Sequence, residues 1–254
     1  IRTESFVPKG ESRDEHQAAL DEGARVHSKE QIVLGSDGND LWTLMTISPI
    51  EYQGRKAALI WFYDISERKQ DEEKLKDAFN IISSSIDYAS RIQRSILPDD
   101  GLLSAILSDH FVLWEPRDVV GGDVYWHGAW GDGCIIILGD CTGHGVPGAF
   151  MTIIAVTALE RAMSEIEGGD VGRLISRAHQ YIQTTLSQHY EGGDSDDGIE
   201  LGACYFVPEE PQMTFAGARF ELLINQGWEI ETIKGTKKGM GYRNISRDQA
   251  YEGH

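Results

Sequence analysis

Asp123 and Asp140 constrain this chain more than any other feature. Each lies beside glycine at the edge of an apolar, strand-like run. The first run is Gly121-Gly122-Asp123-Val124-Tyr125. The second follows a hairpin-like interval and reads Gly139-Asp140-Cys141-Thr142-Gly143-His144-Gly145-Val146-Pro147-Gly148-Ala149. Strands joined by a tight turn bring such carboxylates to one rim of a sheet. Hard divalent cations prefer oxygen ligands, and Mg²⁺ takes one or two protein carboxylates while keeping several waters. A water on such a cation is a ready nucleophile for a phosphate ester, so metal-assisted phosphate hydrolysis is the leading chemical expectation.

The chain has 254 residues, enough for one large or two smaller domains, and its 41% hydrophobic and 25% charged content suits a buried core. Its formal net charge of −18 argues against non-specific binding to nucleic acid or anionic lipid. Cys134, Cys141 and Cys204 are widely spaced, with no CxxC pair, so they suggest neither a zinc site nor a disulfide framework and fit a reducing cytoplasm. No apolar run is expected to reach the ~18 residues of a membrane span. The chain opens on Ile1 and reads as a fragment, which leaves room for targeting or membrane segments outside it.

Three blocks are visible. Residues 1–66 hold a polar helical piece, Arg13 to Val26, and then strand-like runs. Gln31 to Leu34, a turn at Gly35-Ser36-Asp37-Gly38-Asn39, Leu41 to Ile47, a turn at Gln53-Gly54 and Ala57 to Tyr63 describe a small antiparallel meander. Residues 67–98 read as one long helix. Leu75, Phe79, Ile82, Ile86, Ala89 and Ile96 recur at coiled-coil spacing, with Gln93 in the remaining apolar place. That stripe fits either a parallel dimer seam or an amphipathic helix packed on its own domain. Residues 99–254 alternate strands and helices. Strands are expected over Phe111–Trp114, Val124–Trp130, Cys134–Leu138, Leu201–Val207, Gln212–Ala216, Phe220–Asn225 and Trp228–Ile233. Helices are expected over Pro147–Met163 and Val171–His189. The class is α+β, built from hairpins rather than βαβ crossovers.

His144 lies between two glycines before a helix start, where an imidazole has no apolar neighbour to pack against. It is a candidate either to donate a proton to a leaving seryl or threonyl oxygen or to orient a metal-bound water. The amides of Gly145 to Ala149 are candidate phosphate contacts at the positive end of that helix. The acidic run Glu191 to Glu200 lacks EF-hand spacing and reads as a solvated loop.

Two resemblances sharpen these expectations. Phe62-Tyr63-Asp64-Ile65-Ser66-Glu67-Arg68-Lys69 resembles the exit of a PAS sensor domain into a signalling helix, which makes residues 1–66 look like a partial PAS meander. Residues 89–225 resemble the SpoIIE-type branch of the metal-dependent protein phosphatases, the PPM family. The motifs are Ala89-Ser90-Arg91-Ile92-Gln93-Arg94-Ser95-Ile96-Leu97-Pro98, Val120 to Tyr125, and Gly139 to Gly145. Asp197-Gly198-Ile199-Glu200 and Phe215-Ala216-Gly217-Ala218 match weaker blocks. The resemblance implies an αββα sandwich with two Mn²⁺ or Mg²⁺ ions at one end of the sheets. Asp140 would bridge the ions, Asp123 would ligate, and the backbone carbonyl of Cys141 would complete a shell. It also implies a phosphoserine or phosphothreonine substrate on a STAS-type anti-sigma-factor antagonist, whereas the expected homodimer through the linker helix rests on the stripe over residues 67–98.

The family's late Thr-Asp-Gly motif has no counterpart before His254, and Asp248 is too isolated to replace it. The sandwich is therefore expected to be C-terminally incomplete, and the fragment to bind metal weakly and turn over poorly. The competing expectation is a non-catalytic signalling and dimerisation module that uses a phosphatase-like domain as a binding platform.

Overall fold

The structure, a computed structural model, describes residues 26–34, 39–99, 101–190, 195–208, 210 and 212–254. The helix expected from Arg13 lies outside the described residues apart from Val26, which opens a strand. Gly35 to Gly38 and Glu191 to Asp194 also lie outside them. The chain divides into two compact units, Ile1–Ile82 and Ser83–His254, and one helix, α1 (Ser66–Ile96), runs across the division.

In the first unit β1 (Val26–Leu34), β2 (Asp40–Tyr52) and β3 (Arg55–Asp64) form an antiparallel meander. Gln53 and Gly54 join β2 to β3 with φ of 50° and 71°. Two successive positive values suit a type I′ hairpin turn, whose twist matches the flanking strands. Tyr52 therefore faces Arg55, and the ladder runs on to Thr43 opposite Asp64. Val33, Met45, Ile47 and Ile65 are buried, whereas Leu59, Ile60, Trp61 and Tyr63 of β3 are exposed. The strand ends where Asp64 accepts the Ser66 N–H at 2.8 Å and the Ile65 N–H donates to the Trp42 carbonyl at 2.9 Å. Glu30 pairs with Lys69 at 2.6 Å and with Arg68, which ties the first turn of α1 to β1.

In the second unit β4 (Asp123–Trp130), β5 (Gly133–Cys141), β6 (Ile199–Phe206) and β7 (Met213–Ala218) form one antiparallel sheet in chain order. A short helix, α2 (Gly101–Ile106), precedes it. Helices α3 (Gly145–Met163) and α4 (Val171–Thr185) are inserted between β5 and β6. Alternate residues of the strands, among them Val124, Ile135, Ile137, Leu201 and Ala216, share one core with Ala155, Leu159, Leu174 and Ile182 of these helices. The expected run of four strands over 201–233 divides. β6 and β7 join the main sheet, while β8 (Glu221–Asn225) and β9 (Ile230–Lys234) form a separate hairpin. Among the described residues the architecture is thus mixed α and β with antiparallel sheets.

Two expectations are corrected. Phe111–Trp114 is not a strand: it has no ladder partner, Phe111 and Leu113 are 89% and 76% exposed, and the Trp114 indole instead donates to the Asp123 carbonyl at 3.0 Å. Helix α3 is long and apolar enough, by length and composition, to cross a membrane, contrary to the expectation that no such run exists. Burial of Ala149, Met151, Ala155, Val156, Ala158, Leu159 and Ala162 accounts for that apolarity as a core helix's.

The stripe on α1 differs along its length. Leu75, Phe79 and Ile82 are exposed. Gln93 is 1% exposed and belongs to the second unit's interior. Its side-chain nitrogen donates to the Gly121 carbonyl at 2.6 Å and to Thr152 Oγ at 3.1 Å, and its oxygen accepts the Gly121 N–H at 3.2 Å. Around Gln93 and Ile96 the helix therefore packs on its own domain.

Helix α4 and Gln188 just beyond it hold the last stretch of chain through buried amides and an imidazole. Gln183 donates to the carbonyls of Tyr242 and Ile245, and Gln188 to those of Asp197 and Gly241. His179 Nδ1 accepts the Gly241 N–H at 2.8 Å, so its Nε2 carries the hydrogen given to Ser246 O at 3.0 Å.

Replacing Gln93 by leucine leaves the buried polar groups of Gly121 unpaired, at about 1–3 kcal/mol for an orphaned group. Thermal melting is expected to fall by several degrees, at roughly 2–4 °C per kcal/mol for a unit of this size. A second expectation concerns pH. Burial pulls the His179 pKa below its ordinary 6.5, with Arg247 adding in the same direction and the Ser246 bond opposing. The unfolded chain thus binds the proton more readily than the fold. The stabilisation is complete above pH 6.5 and is lost as pH falls below it. Melting followed from pH 7.5 to 5 should show this loss, reduced in a His179→Gln variant.

Candidate metal and phosphate site

The β4–β5 hairpin sets the geometry. Its turn, Gly131-Asp132, joins Trp130 to the facing Gly133, with Gly131 at φ 59°. From that fixed end the register runs without a shift to Asp123 opposite Asp140. A slip of one residue would send one carboxylate to the core face. Directly opposed residues in an antiparallel pair have Cα atoms about 4.5–5.5 Å apart and side chains on one face. The expected convergence of Asp123 and Asp140 is therefore present in the fold.

The row continues across the sheet. Asp140 faces Glu200 on β6, so Asp123, Asp140 and Glu200 stand side by side on the face away from α3 and α4. Partial burial raises the Asp140 pKa above its ordinary value, and the charges of Asp123 and Glu200 raise it further. Among the described residues the Asp123 and Asp140 carboxylates have no hydrogen-bond or ion-pair partner. Glu200 accepts from Arg219 Nη1 at 3.0 Å. Adjacent uncompensated carboxylates are the chemistry that a hard cation relieves. Among the described residues no three His, Cys, Asp or Glu side chains form a metal cage. The donor set is instead a carboxylate pair with nearby backbone carbonyls, leaving room for waters as Mg²⁺ and Mn²⁺ chemistry allows.

Glycine brings those carbonyls close. A Cβ on Gly122 would lie 2.7 Å from the Cys141 carbonyl oxygen and 2.6 Å from that of Gly143. A Cβ on Gly148 would lie 2.6 Å from the Gly143 oxygen and 2.9 Å from the Gly122 nitrogen. The Cys141 thiol is in the core, where burial pushes its pKa up, so only the backbone of Cys141 remains for a cation. Thr142 locks the loop to the start of β6: its N–H donates to the Gly198 carbonyl at 2.9 Å and its Oγ accepts the Gly198 N–H at 3.0 Å.

His144 is placed differently from the two aspartates. It is the N-cap residue of α3 without a side-chain cap bond, and its Nδ1 lies 3.0 Å from Asp118 Oδ2. Asp123 and Asp140 line a hollow of about 560 Å³ with Leu103, Trp114, Tyr125 and Phe220, and His144 is not among its lining residues. Gly148 and Ala149 are buried, so that part of the α3 start packs on the loop rather than standing open for phosphate. Asp118 and Arg219 escape the reading of the sequence, which has Glu200 only at the end of an acidic run taken for a solvated loop and within a weaker block. Arg219 carries one local signal, an arginine directly after the Phe-Ala-Gly-Ala block. Its pairing with Glu200 required the register.

No protein-family model matches the chain, and no curated protein matches it. Among solved structures it is similar to the SiaA-PP2C domain of Pseudomonas aeruginosa, with a TM-score of 0.61 and 36% sequence identity over 70% of this chain and 67% of that one. That identity over that share of both chains, joined to the paired aspartates at the sheet rim, places the chain in the PP2C (PPM) family of protein phosphatases.

Proposed function

We propose that the chain is a SpoIIE-type, metal-dependent phosphatase acting on a phosphoserine or phosphothreonine of a STAS-type partner protein. The observation that carries the reading is the Asp123–Asp140 pair at one end of β4 and β5, unpartnered by any described cation. Asp140 and Asp123 would hold Mn²⁺ or Mg²⁺ with the Cys141 carbonyl. A divalent ion there supplies a more acidic water and charge neutralisation for the phosphoryl group. Gly122 and Gly148 allow the close backbone approach that keeps the carbonyls at the rim. His144, held at Nδ1 by Asp118, carries in its charged form a proton on Nε2 for the leaving oxygen.

The first unit reads as the sensor, a partial PAS meander. Its support is the pinned Asp64-Ile65-Ser66 exit and the ion pairs of Glu30 with Arg68 and Lys69. The exposed Leu75, Phe79 and Ile82 support a parallel homodimer through the first half of α1. A cytoplasmic setting fits the three free cysteines.

Millimolar Mn²⁺ should raise the melting temperature of the wild-type protein. In the metal-free fold Asp140 ionises against its neighbours, so its raised pKa means that folding favours the proton and stability falls as pH rises through that raised value. An Asp140→Asn variant mimics the protonated state. It should melt higher than wild type without metal at neutral pH, show no Mn²⁺ shift, and lose phosphothreonine-peptide hydrolysis by more than the roughly 10–100-fold typical of an outer-shell change. A wild-type melt indifferent to Mn²⁺ would overturn the phosphatase reading and leave a binding platform.

A further inference from the structure

We propose that Arg219 is the phosphoryl-binding residue of this site and that Glu200 positions it, an inference that rests on the phosphatase reading above. The Glu200–Arg219 pair carries it. Asp123, Asp140 and Glu200 face one another in turn across β4, β5 and β6. β7 ends at Ala218, opposite Leu201, and Arg219 follows just beyond the strand, where its Nη1 meets Glu200 at 3.0 Å. The row of three acids thus ends on a cation. Neighbouring strands lie about 4.8 Å apart, and Glu200, the acid that the guanidinium reaches, is one spacing from Asp140. A phosphoryl group lying against cations at Asp123 and Asp140 would present its remaining oxygens toward the guanidinium.

Three further observations fit this role. Arg219 adopts φ 58°, a left-handed conformation uncommon for a residue other than glycine and one that clusters at functional sites. Its N–H is tied to the Thr236 carbonyl at 2.7 Å, so the backbone is held in that shape. Its side chain is 60% exposed and gives Nη1 alone to Glu200, leaving the other guanidinium donors without a partner among the described residues. Arginine's planar fork matches two phosphoryl oxygens at once, which a lysine cannot do.

An Arg219→Gly variant separates binding from structure, because glycine accepts the same φ without strain. Titration calorimetry of the Mn²⁺-saturated protein with a phosphopeptide made non-hydrolysable as its phosphonate is the measurement, with the unphosphorylated peptide as control and inorganic phosphate as the arm reporting the phosphoryl group alone. Arg219→Gly should melt no lower than wild type and keep the full Mn²⁺-induced shift. It should bind both phosphorylated ligands about 10- to 100-fold more weakly, the loss expected for charge-assisted bonds. Arg219→Lys should recover part of that affinity, and Glu200→Gln should weaken binding less than Arg219→Gly. Equal affinity in wild type and Arg219→Gly, or no binding of the phosphopeptide by Mn²⁺-loaded wild type, overturns the assignment of Arg219 and leaves the metal site standing. Loss of the Mn²⁺ shift in Arg219→Gly also overturns it, by showing that Arg219 organises the acidic row. A wild-type protein that ignores Mn²⁺ removes the phosphatase reading itself, and this inference with it.

Discussion

Repulsion between carboxylates that the backbone forces together is the constraint on which the site depends. A two-residue turn at Gly131-Asp132 sets the β4–β5 register, and that register leaves Asp123 no position except opposite Asp140. The β5–β6 ladder then adds Glu200 on the same face. None of these side chains is drawn to its neighbour; the ladder hydrogen bonds and the apolar face beneath them hold the arrangement. Val124, Ile135, Ile137 and Leu201 anchor the opposite face in the helix-covered core. Burial of one face thus sustains an unfavourable charge pattern on the other, and a cation is the simplest compensation.

The loop that completes the site is fastened from three directions. Gln93 of α1 satisfies both backbone groups of Gly121. Thr142 binds Gly198 in both senses, and the last stretch of chain is clamped by His179 and Gln183 of α4 and by Gln188 just beyond it. Each fastening is a buried polar group meeting a backbone partner, so each is costly to leave half-made. The site geometry is therefore tied to elements far from it in the chain, the linker helix among them.

Much of this was legible from residues alone. Glycine-flanked aspartates at strand edges announced the rim, and Gln53-Gly54 announced its hairpin because the turn chemistry is local. What depended on non-local pairing was not legible. Phe111–Trp114 has the composition of a strand, yet a strand needs a neighbour, and Trp114 instead spends its donor on Asp123. Gln93 occupies a seam position by spacing, but only the packed domain shows that Gly121 awaits it. Arg219 is unremarked in sequence, and Glu200 reads there as the end of a solvated acidic run, because their meaning lies in Glu200 facing Asp140 across the ladder and in the bond between the two side chains. The apolar length of α3 reads as membrane-like until its buried partners are counted in the core.

Gly122 and Gly148 carry a last implication. Three stretches of main chain meet around them so tightly that even one methyl group would intrude at 2.6 to 2.9 Å on backbone atoms. Backbone cannot swing aside as a flexible side chain can. Evolutionary drift at these two places is therefore blocked by volume alone, whatever happens to the acids beside them. A descendant of this protein that gave up hydrolysis and kept only its shape would lose the aspartates first and these glycines last.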